Sequence, residues 1–428
     1  MNRKDDIIVV KGNQTLTGKV AVSGAKNSAL KLIAASILAN DVCIIQNVPD
    51  ISDIDIMCQV LESLGADVTR TDHKLEINTK IINSVEASYE LVSQMRASIA
   101  VLGPLIARFG EAKVAMPGGC QIGARKIDMH LMGLRQMGVK FDVNYGYLEA
   151  CAPKGLHGAN IRLDFASVGA TENILMSAVC AEGKTFIDNA AREPEILDLC
   201  NFLNEIGCKV RGGGTSLIEI EGVDAKTLHG CTHKTCCDRI EAGTYLVGGA
   251  LTGGPLTVEG IVPDYLKTAI RKLRDMGVDV SIDNDSITVS RNILKPLRTV
   301  QVQTLPHPGF PTDLQAQFML LACYADGTSI ITENVFENRF MFASEIMRMG
   351  ANISLQEHHA LVKGSVQLQG APVSSTDLRA GASLVLAGIM ANGTTIVTEV
   401  GHIDRGYEDF VGKLRHLGAE IDRKNPNK

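Results

Sequence analysis

The stretch Pro117-Gly118-Gly119-Cys120-Gln121-Ile122-Gly123-Ala124-Arg125 sets one cysteine among three glycines and ends on an arginine. Glycines let a loop take positive φ angles and bring backbone N–H groups close to a ligand. A nearby arginine lowers a thiol pKa and can grip a phosphate. The chemistry on offer is that of an activated thiol beside an anion site, although a Gly-rich turn with an incidental cysteine has the same composition. Further polar residues come in sets: Ser23-Gly24-Ala25-Lys26-Asn27, Met95-Arg96-Ala97-Ser98, Ser167-Val168-Gly169-Ala170-Thr171, Asp238-Arg239-Ile240-Glu241, Pro311-Thr312-Asp313 and Thr376-Asp377-Leu378-Arg379. Each stands at the start of a helical run rich in small residues. Helix N-termini attract anions because their free N–H groups and dipole point outward. Ordinary N-capping accounts for Thr312, Thr376 and Ser23. It does not account for Lys26, Arg96 or Arg379, because a cation there opposes the dipole and needs a negative ligand or partner. Arg125, Arg339 and Arg405 complete the cationic set, each of which taken singly reads as a surface salt bridge.

The elements that position these residues repeat. An apolar residue, two variable positions, an apolar residue and a glycine recur at Leu61–Gly65, Leu134–Gly138, Leu203–Gly207, Leu273–Gly277, Ile346–Gly350 and Leu414–Gly418. The glycines are separated by 73, 69, 70, 73 and 68 residues. Each reads as a left-handed helix C-cap followed by a strand. A turn and a β-branched strand precede each glycine: Val42–Val48, Ala112–Met116, Thr185–Ile187, Leu256–Val258, Thr328–Thr332 and Thr394–Val397. Ahead of these lie the small-residue helices Ala25–Leu38, Arg96–Phe109, Ala170–Ala181, Glu241–Leu251, Asp313–Ala325 and Asp377–Ala391. Each unit of about 70 residues is thus helix–strand–helix–strand–strand, and the small residues let the first helices pack closely together. Six units imply two domains of three, divided near Gly222–His233. The first strands, Ile7–Val10 and Lys19–Val22, precede the first helix and are free to pair elsewhere. No strand is followed by GxGxxG, which argues against a Rossmann reading. The Cys120 loop lies in the second unit, whose turn-to-glycine offset is 28 residues against 23 to 25 in the others. The loop is therefore an insertion into a regular scaffold, where a chemistry-bearing lid belongs.

Composition sets the outer limits. The chain of 428 residues is 45% hydrophobic and 21% charged, as in ordinary globular proteins. Only 4% is aromatic and tryptophan is absent, so the cores are built from aliphatic residues. A net charge of −6 argues against a general nucleic-acid or anionic-membrane binder. No apolar run suggests a membrane span or an export signal, so the eleven cysteines are expected to be reduced thiols in a cytoplasm. Cys43, Cys58, Cys180, Cys200, Cys208 and Cys323 read as small core hydrophobes. Cys231, His233, Cys236 and Cys237 fit no standard zinc spacing, and no metal is expected. His130 either orients a ligand or makes a structural hydrogen bond.

The joint motif set resembles one family. The loop PGGCxIGxR, Ser23–Asn27, Ala191-Arg192-Glu193-Pro194-Glu195, Pro311–Asp313 with Gln315 and Gln317, Phe336–Met341, Thr376–Arg379 and His402–Gly406 look like those of the UDP-N-acetylglucosamine 1-carboxyvinyltransferases. These are the enolpyruvyl transferases that start peptidoglycan precursor synthesis, and the resemblance spans essentially the whole chain. It implies a two-domain inside-out α/β barrel, with residues 22–229 in one domain and residues 1–21 plus 230–428 in the other, and the active site between them. It implies transfer of the enolpyruvyl group of phosphoenolpyruvate to the 3′-hydroxyl of UDP-N-acetylglucosamine through a tetrahedral ketal, with phosphate released and no cofactor. That chemistry needs a base for the hydroxyl, an acid for the methylene carbon, and cations for phosphate and carboxylate. By resemblance, Asp313 is the base, and Cys120 is the acid and the site of a covalent phosphoenolpyruvate adduct. Lys26, Arg125 and Arg405 hold the phosphoenolpyruvate-derived groups, with Asn27, Arg339 and Arg379 in support. The nucleotide sugar is lined by Asn27, Arg96, Arg125, Lys126, Ile127, Asp128, Met129, Phe165, Ala166, Ser167, Val168, Gly169, Asp313 and Val335. One departure stands out: Lys126 occupies a position where the family usually has proline, which restores an N–H and adds a charge at the uridine-diphosphate end.

Two other readings share part of this ground. A 5-enolpyruvylshikimate-3-phosphate synthase has the same architecture and donor, but the cysteine loop and Ser167–Thr171 set this chain apart. A weakly active paralogue that senses the nucleotide sugar or phosphoenolpyruvate is opposed by the intact Cys120, Asp313 and Arg405.

Overall fold

The computed structural model describes residues 5–116 and 127–426, the side chain of Arg96 excepted. The chain forms two compact units, residues 24–116 with 127–236, and residues 5–23 with 237–426. Each unit has its own apolar core, dominated by Ala, Val, Ile and Leu. No helix of the described residues is long and apolar enough to cross a membrane.

The repeat glycines behave alike. Gly65, Gly138, Gly207, Gly277, Gly350 and Gly418 all take φ between +94° and +103°. That backbone conformation strains any residue with a Cβ, which is why glycine recurs after each outer helix. The first helix of each repeat is buried almost all round: all fourteen residues of Arg239–Thr252 and all nine of Gln315–Cys323 are buried. Small residues make this possible. A Cβ on Gly103 would lie 2.6 Å from the Asn173 carbonyl oxygen, and one on Gly243 would lie 2.6 Å from Leu314 Cδ1. The second helices are amphipathic; Lys267–Asp275 buries only Ala269, Ile270 and Leu273. The strands alternate, as in Lys184–Asp188 with Thr185 and Ile187 inward. Helices inside and one-sided sheets outside make each unit an inside-out α/β barrel.

Each unit carries three four-stranded sheets with one common order, a parallel edge strand followed by three antiparallel neighbours. Thus Asn160–Arg162 runs parallel to Lys184–Asp188, which pairs antiparallel with Leu217–Glu221 and through it reaches Lys209–Arg211. The sixth sheet takes Ile7–Lys11 between Thr394–Thr398 and Ile421–Lys424, so the chain's first strand completes its last repeat. Two edge strands are exchanged. Gly18–Ala21, which leads into the helix Lys26–Ala35, pairs with Leu256–Glu259 in the C-terminal unit. Thr232–Lys234, which leads into Arg239–Thr252, pairs with Val42–Gln46 in the N-terminal unit. The chain therefore changes unit after Ser23 and after Cys236, later than the expected changes after residues 21 and 229.

His233 anchors the second exchanged strand. Its Nε2 lies 3.2 Å from Asp198 Oδ1 and its Nδ1 2.9 Å from Glu205 Oε2. Burial opposes a charge on this imidazole, but the bonds to Asp198 and Glu205 outweigh it and hold its pKa above the ordinary 6.5. Burial likewise pushes Asp198 up, yet bonds from His233, Ser28 and the Cys236 N–H hold it below its ordinary value. The imidazolium contribution is complete below the unfolded pKa and fades as pH rises through the raised folded value; that of Asp198 is complete above its unfolded value and fades as pH falls through the lowered one. His233→Gln should therefore lower the thermal midpoint more at about pH 6 than at about pH 9. Equal losses at both pH values, read by scanning fluorimetry, would remove the charge from this account.

Candidate functional site

The C-terminal unit gathers its chemistry at the shared N-terminal end of three buried helices. Asp313 lies in the short 3-10 turn Thr312–Leu314 that opens Gln315–Cys323. Its Oδ1 lies 2.8 Å from Arg339 Nη2, and its Oδ2 lies 3.3 Å from Arg379 Nη2. The two guanidinium side chains are 5% and 3% exposed, while Asp313 is 25% exposed. The carboxylate is thus the open tip of a buried cationic pair, with the buried Asp238 carboxylate within electrostatic reach of Arg379. Arg379 also lies over the Tyr407 ring, 5.1 Å from its centroid. Its Nη1 is buried and makes no hydrogen bond among the described residues. Tyr407 is fixed in turn by Thr244, 2.9 Å from its hydroxyl, and Gln317 Nε2 donates to Thr244 at 3.1 Å.

Glu333 holds the other side of this cluster. Thr304 donates to its Oε1 and Thr312 to its Oε2, each at 2.8 Å. The Val335 and Phe336 N–H groups donate to Oε1 at 2.9 and 3.1 Å. Arg339 Nη1 donates to the Thr312 hydroxyl at 3.1 Å and its guanidinium sits over the Phe336 ring. Val335, Arg339 and Asp313 are therefore set by one buried carboxylate. Arg405 follows the short helix Gly401–Asp404, two residues before Tyr407, and is half-buried.

In the N-terminal unit, Lys26 opens the helix Lys26–Ala35, and its Nζ lies 2.6 Å from Asp53 Oδ2 with both side chains almost fully buried. Asn27 beside it is exposed. The next helix of the set is joined to its neighbour by the Gly103 N–H, which donates to Asn173 Oδ1 at 2.9 Å. That bond fixes the Asn173 amide, so its Nδ2 donates to His130 Nδ1 at 3.0 Å. Gly169 stands against the same ring; a Cβ there would lie 3.1 Å from His130 Cε1 and Nε2. This packing brings Ile127, Asp128 and Met129 beside Val168–Ala178, whose first turn Ser167 caps by accepting from the Ala170 N–H. Phe165 ahead of it is exposed, and Ala166, Val168 and Gly169 are half-exposed. Cys120, Arg125 and Lys126 lie outside the described residues, and Arg96 opens the 3-10 turn Arg96–Val101.

Several expectations change. Thr312, Thr376 and Ser23 do not act as caps. The Thr312 hydroxyl goes to Glu333, Ser23 Oγ donates to Glu408 at 2.6 Å, and Asp377 caps the helix after Thr376. Arg339 is buried in an ion pair, where a surface salt bridge was expected. The cations that oppose helix dipoles have carboxylate partners inside the protein, Asp53 for Lys26 and Asp313 for Arg379. Asp53, Glu333, Thr244 and Asn173 were missed, since no local pattern marks them. Gln317 belongs to the motif set and Tyr407 directly follows His402–Gly406, but the sequence assigned neither a role.

Comparison with known proteins places this geometry. The sequence model of the family described as EPSP synthase (3-phosphoshikimate 1-carboxyvinyltransferase) matches residues 10–414. The chain is 50% identical over 418 residues to UDP-N-acetylglucosamine 1-carboxyvinyltransferase 2 of Carboxydothermus hydrogenoformans, covering 97% of this chain and 98% of that one. It is 50% identical to UDP-N-acetylglucosamine 1-carboxyvinyltransferase 1 of Staphylococcus aureus strain RF122 / ET3-1, covering 98% and 100%. Among solved structures it is similar to the enolpyruvyl transferase NikO from Streptomyces tendae, with a TM-score of 0.90, 26% identity and coverage of 98% and 99%. EPSP synthase from Acinetobacter baumannii shares the fold with a TM-score of 0.75 at 19% identity, covering 98% and 99%. The chain belongs to the enolpyruvyl transferase family, and within it to the UDP-N-acetylglucosamine 1-carboxyvinyltransferases.

Proposed function

We propose that the chain transfers the enolpyruvyl group of phosphoenolpyruvate to the 3′-hydroxyl of UDP-N-acetylglucosamine and releases phosphate, the first committed step of peptidoglycan synthesis. The observation that carries this reading is the half-open Asp313 carboxylate held between the buried guanidiniums of Arg339 and Arg379. A carboxylate so placed can take the proton of the attacking hydroxyl, while the two guanidiniums suit the phosphate and carboxylate that flank the reacting carbon. Cys120 delivers the proton to the methylene carbon and forms the covalent adduct. Lys26, Arg125 and Arg405 hold the phosphate and carboxylate through the tetrahedral ketal and its breakdown. The segments Ile127–Met129 and Phe165–Gly169, locked together through His130 and Asn173, receive the nucleotide sugar. A cytoplasmic location is part of the same proposal.

The test is phosphate release from phosphoenolpyruvate with UDP-N-acetylglucosamine as acceptor and shikimate 3-phosphate in a parallel reaction. Release only with the nucleotide sugar is expected. Release with shikimate 3-phosphate would reassign the acceptor, and nucleotide-sugar binding without turnover would make the chain a sensor.

A further inference from the structure

Cys43 and Cys231 face each other across the exchanged strand. The parallel register sets Thr232 opposite Ile44 and His233 opposite Ile45. Continued by one residue, it sets Cys231 opposite Cys43, and the Ile44 N–H donates to the Cys231 carbonyl at 2.8 Å to close that step of the ladder. Neighbouring strands lie about 4.8 Å apart, within the roughly 4.4–6.8 Å between Cα atoms that a disulfide spans. Residues opposite each other point to the same face of a sheet, and the two thiols are hydrogen-bonded to each other. Both are free, Cys43 buried and Cys231 half-buried.

We propose that Cys43 and Cys231 are a modification site: a thiol pair that a peroxide converts to a disulfide in the folded protein. The half-buried Cys231 is the sulfur a peroxide reaches. The bond to Cys43 and burial raise the pKa of the Cys231 thiol, so it gives its proton to Cys43 as its sulfur attacks the peroxide oxygen; the O–O bond breaks, and Cys231 becomes a sulfenic acid as water or an alcohol leaves. Cys43 then attacks the Cys231 sulfur, the S–S bond forms, the S–O bond breaks and a second water leaves. Two electrons pass from the thiols to the peroxide. Cys43 suits the second step by its place, opposite Cys231 on the same face of the sheet. The product fastens the strand that returns from residues 230–236 onto Val42–Gln46, closing a long loop of chain. This pair is separate from Cys120 and would act on the folded state of the N-terminal unit.

The experiment treats the full chain with hydrogen peroxide, blocks the remaining thiols by alkylation, and maps disulfides by mass spectrometry after digestion without reductant. Exposed Cys151 serves as the internal gauge of oxidation. A Cys43–Cys231 cross-linked peptide pair, two hydrogens lighter than its parts, is expected, with a rise of about 5 °C in the thermal midpoint of the wild type. Neither Cys43→Ser nor Cys231→Ser should show that rise. Recovery of both thiols unoxidised once Cys151 has reacted would overturn the proposal. So would a cross-link that leaves the wild-type midpoint no higher than that of the serine variants, since it would then form only in unfolded chains. The mapping on wild type stands even if a variant fails to fold.

Discussion

Cys120→Ala is expected to lower enolpyruvyl transfer by roughly 10²- to 10⁴-fold, while Cys120→Asp keeps a measurable part of it. Both variants should escape alkylation by an epoxide phosphonate such as fosfomycin. The two substitutions separate two properties of one side chain. A thiol can give a proton to carbon and can also attack an electrophile. Alanine removes both properties. Aspartate keeps an O–H donor when its pKa is raised near phosphate-shaped anions, but its carboxylate opens an epoxide poorly. The cationic surroundings that lower a thiol pKa are supplied in sequence by Arg125, five residues on. Mass spectrometry of the alkylated protein and a phosphate-release assay read the two properties independently. A wild-type Cys120 that resists the epoxide would end the activated-thiol assignment. An alanine variant with unchanged turnover would end the proton-donor assignment.

The parts of this fold legible in the sequence are those written locally. Each repeat glycine announces its own helix end, because a positive φ is demanded at one position whatever lies elsewhere; all six take φ near +100°. The buried helices are legible because small residues run without a polar face. Apart from Lys19–Val22, the parallel edge strands were not, since segments of two or three residues such as Glu86–Ala87 carry no period to detect. The pairing of Thr232–Lys234 with Val42–Gln46 is invisible for the same reason. The site shows a similar split. Asp313, Arg339 and Arg379 sit in recognisable motifs, whereas their supports come from afar. Thr312 has the type and place of a cap, but Glu333, 21 residues on, accepts its hydroxyl and turns it toward Arg339. Asp53 neutralises Lys26 from the start of the next helix, a pairing set by packing alone.

Asp313→Asn should lower kcat by roughly 10²- to 10⁴-fold and also lower the stability of the C-terminal unit. The amide keeps nearly the same shape and one acceptor oxygen, but it loses the charge and cannot take a proton from the sugar hydroxyl. Arg339 and Arg379 then share a buried site without their common counter-ion, and Arg379 keeps Tyr407 and the more distant charge of Asp238. Breaking a fully buried pair costs about 3–5 kcal/mol; with Asp313 a quarter exposed, water replaces part of the loss and the lower end is expected. The catalytic and structural losses can be separated by adding Arg379→Met. A buried cation exchanged for an apolar chain of similar length removes the unpaired charge, so the double variant should regain stability over Asp313→Asn alone. Its turnover should stay lost, because neither the base nor the Arg379 charge returns. Chemical denaturation and steady-state kinetics on the three proteins decide the matter. A double variant that recovers both stability and turnover would show that Asp313 serves only to neutralise its arginines, and the base would have to be sought elsewhere.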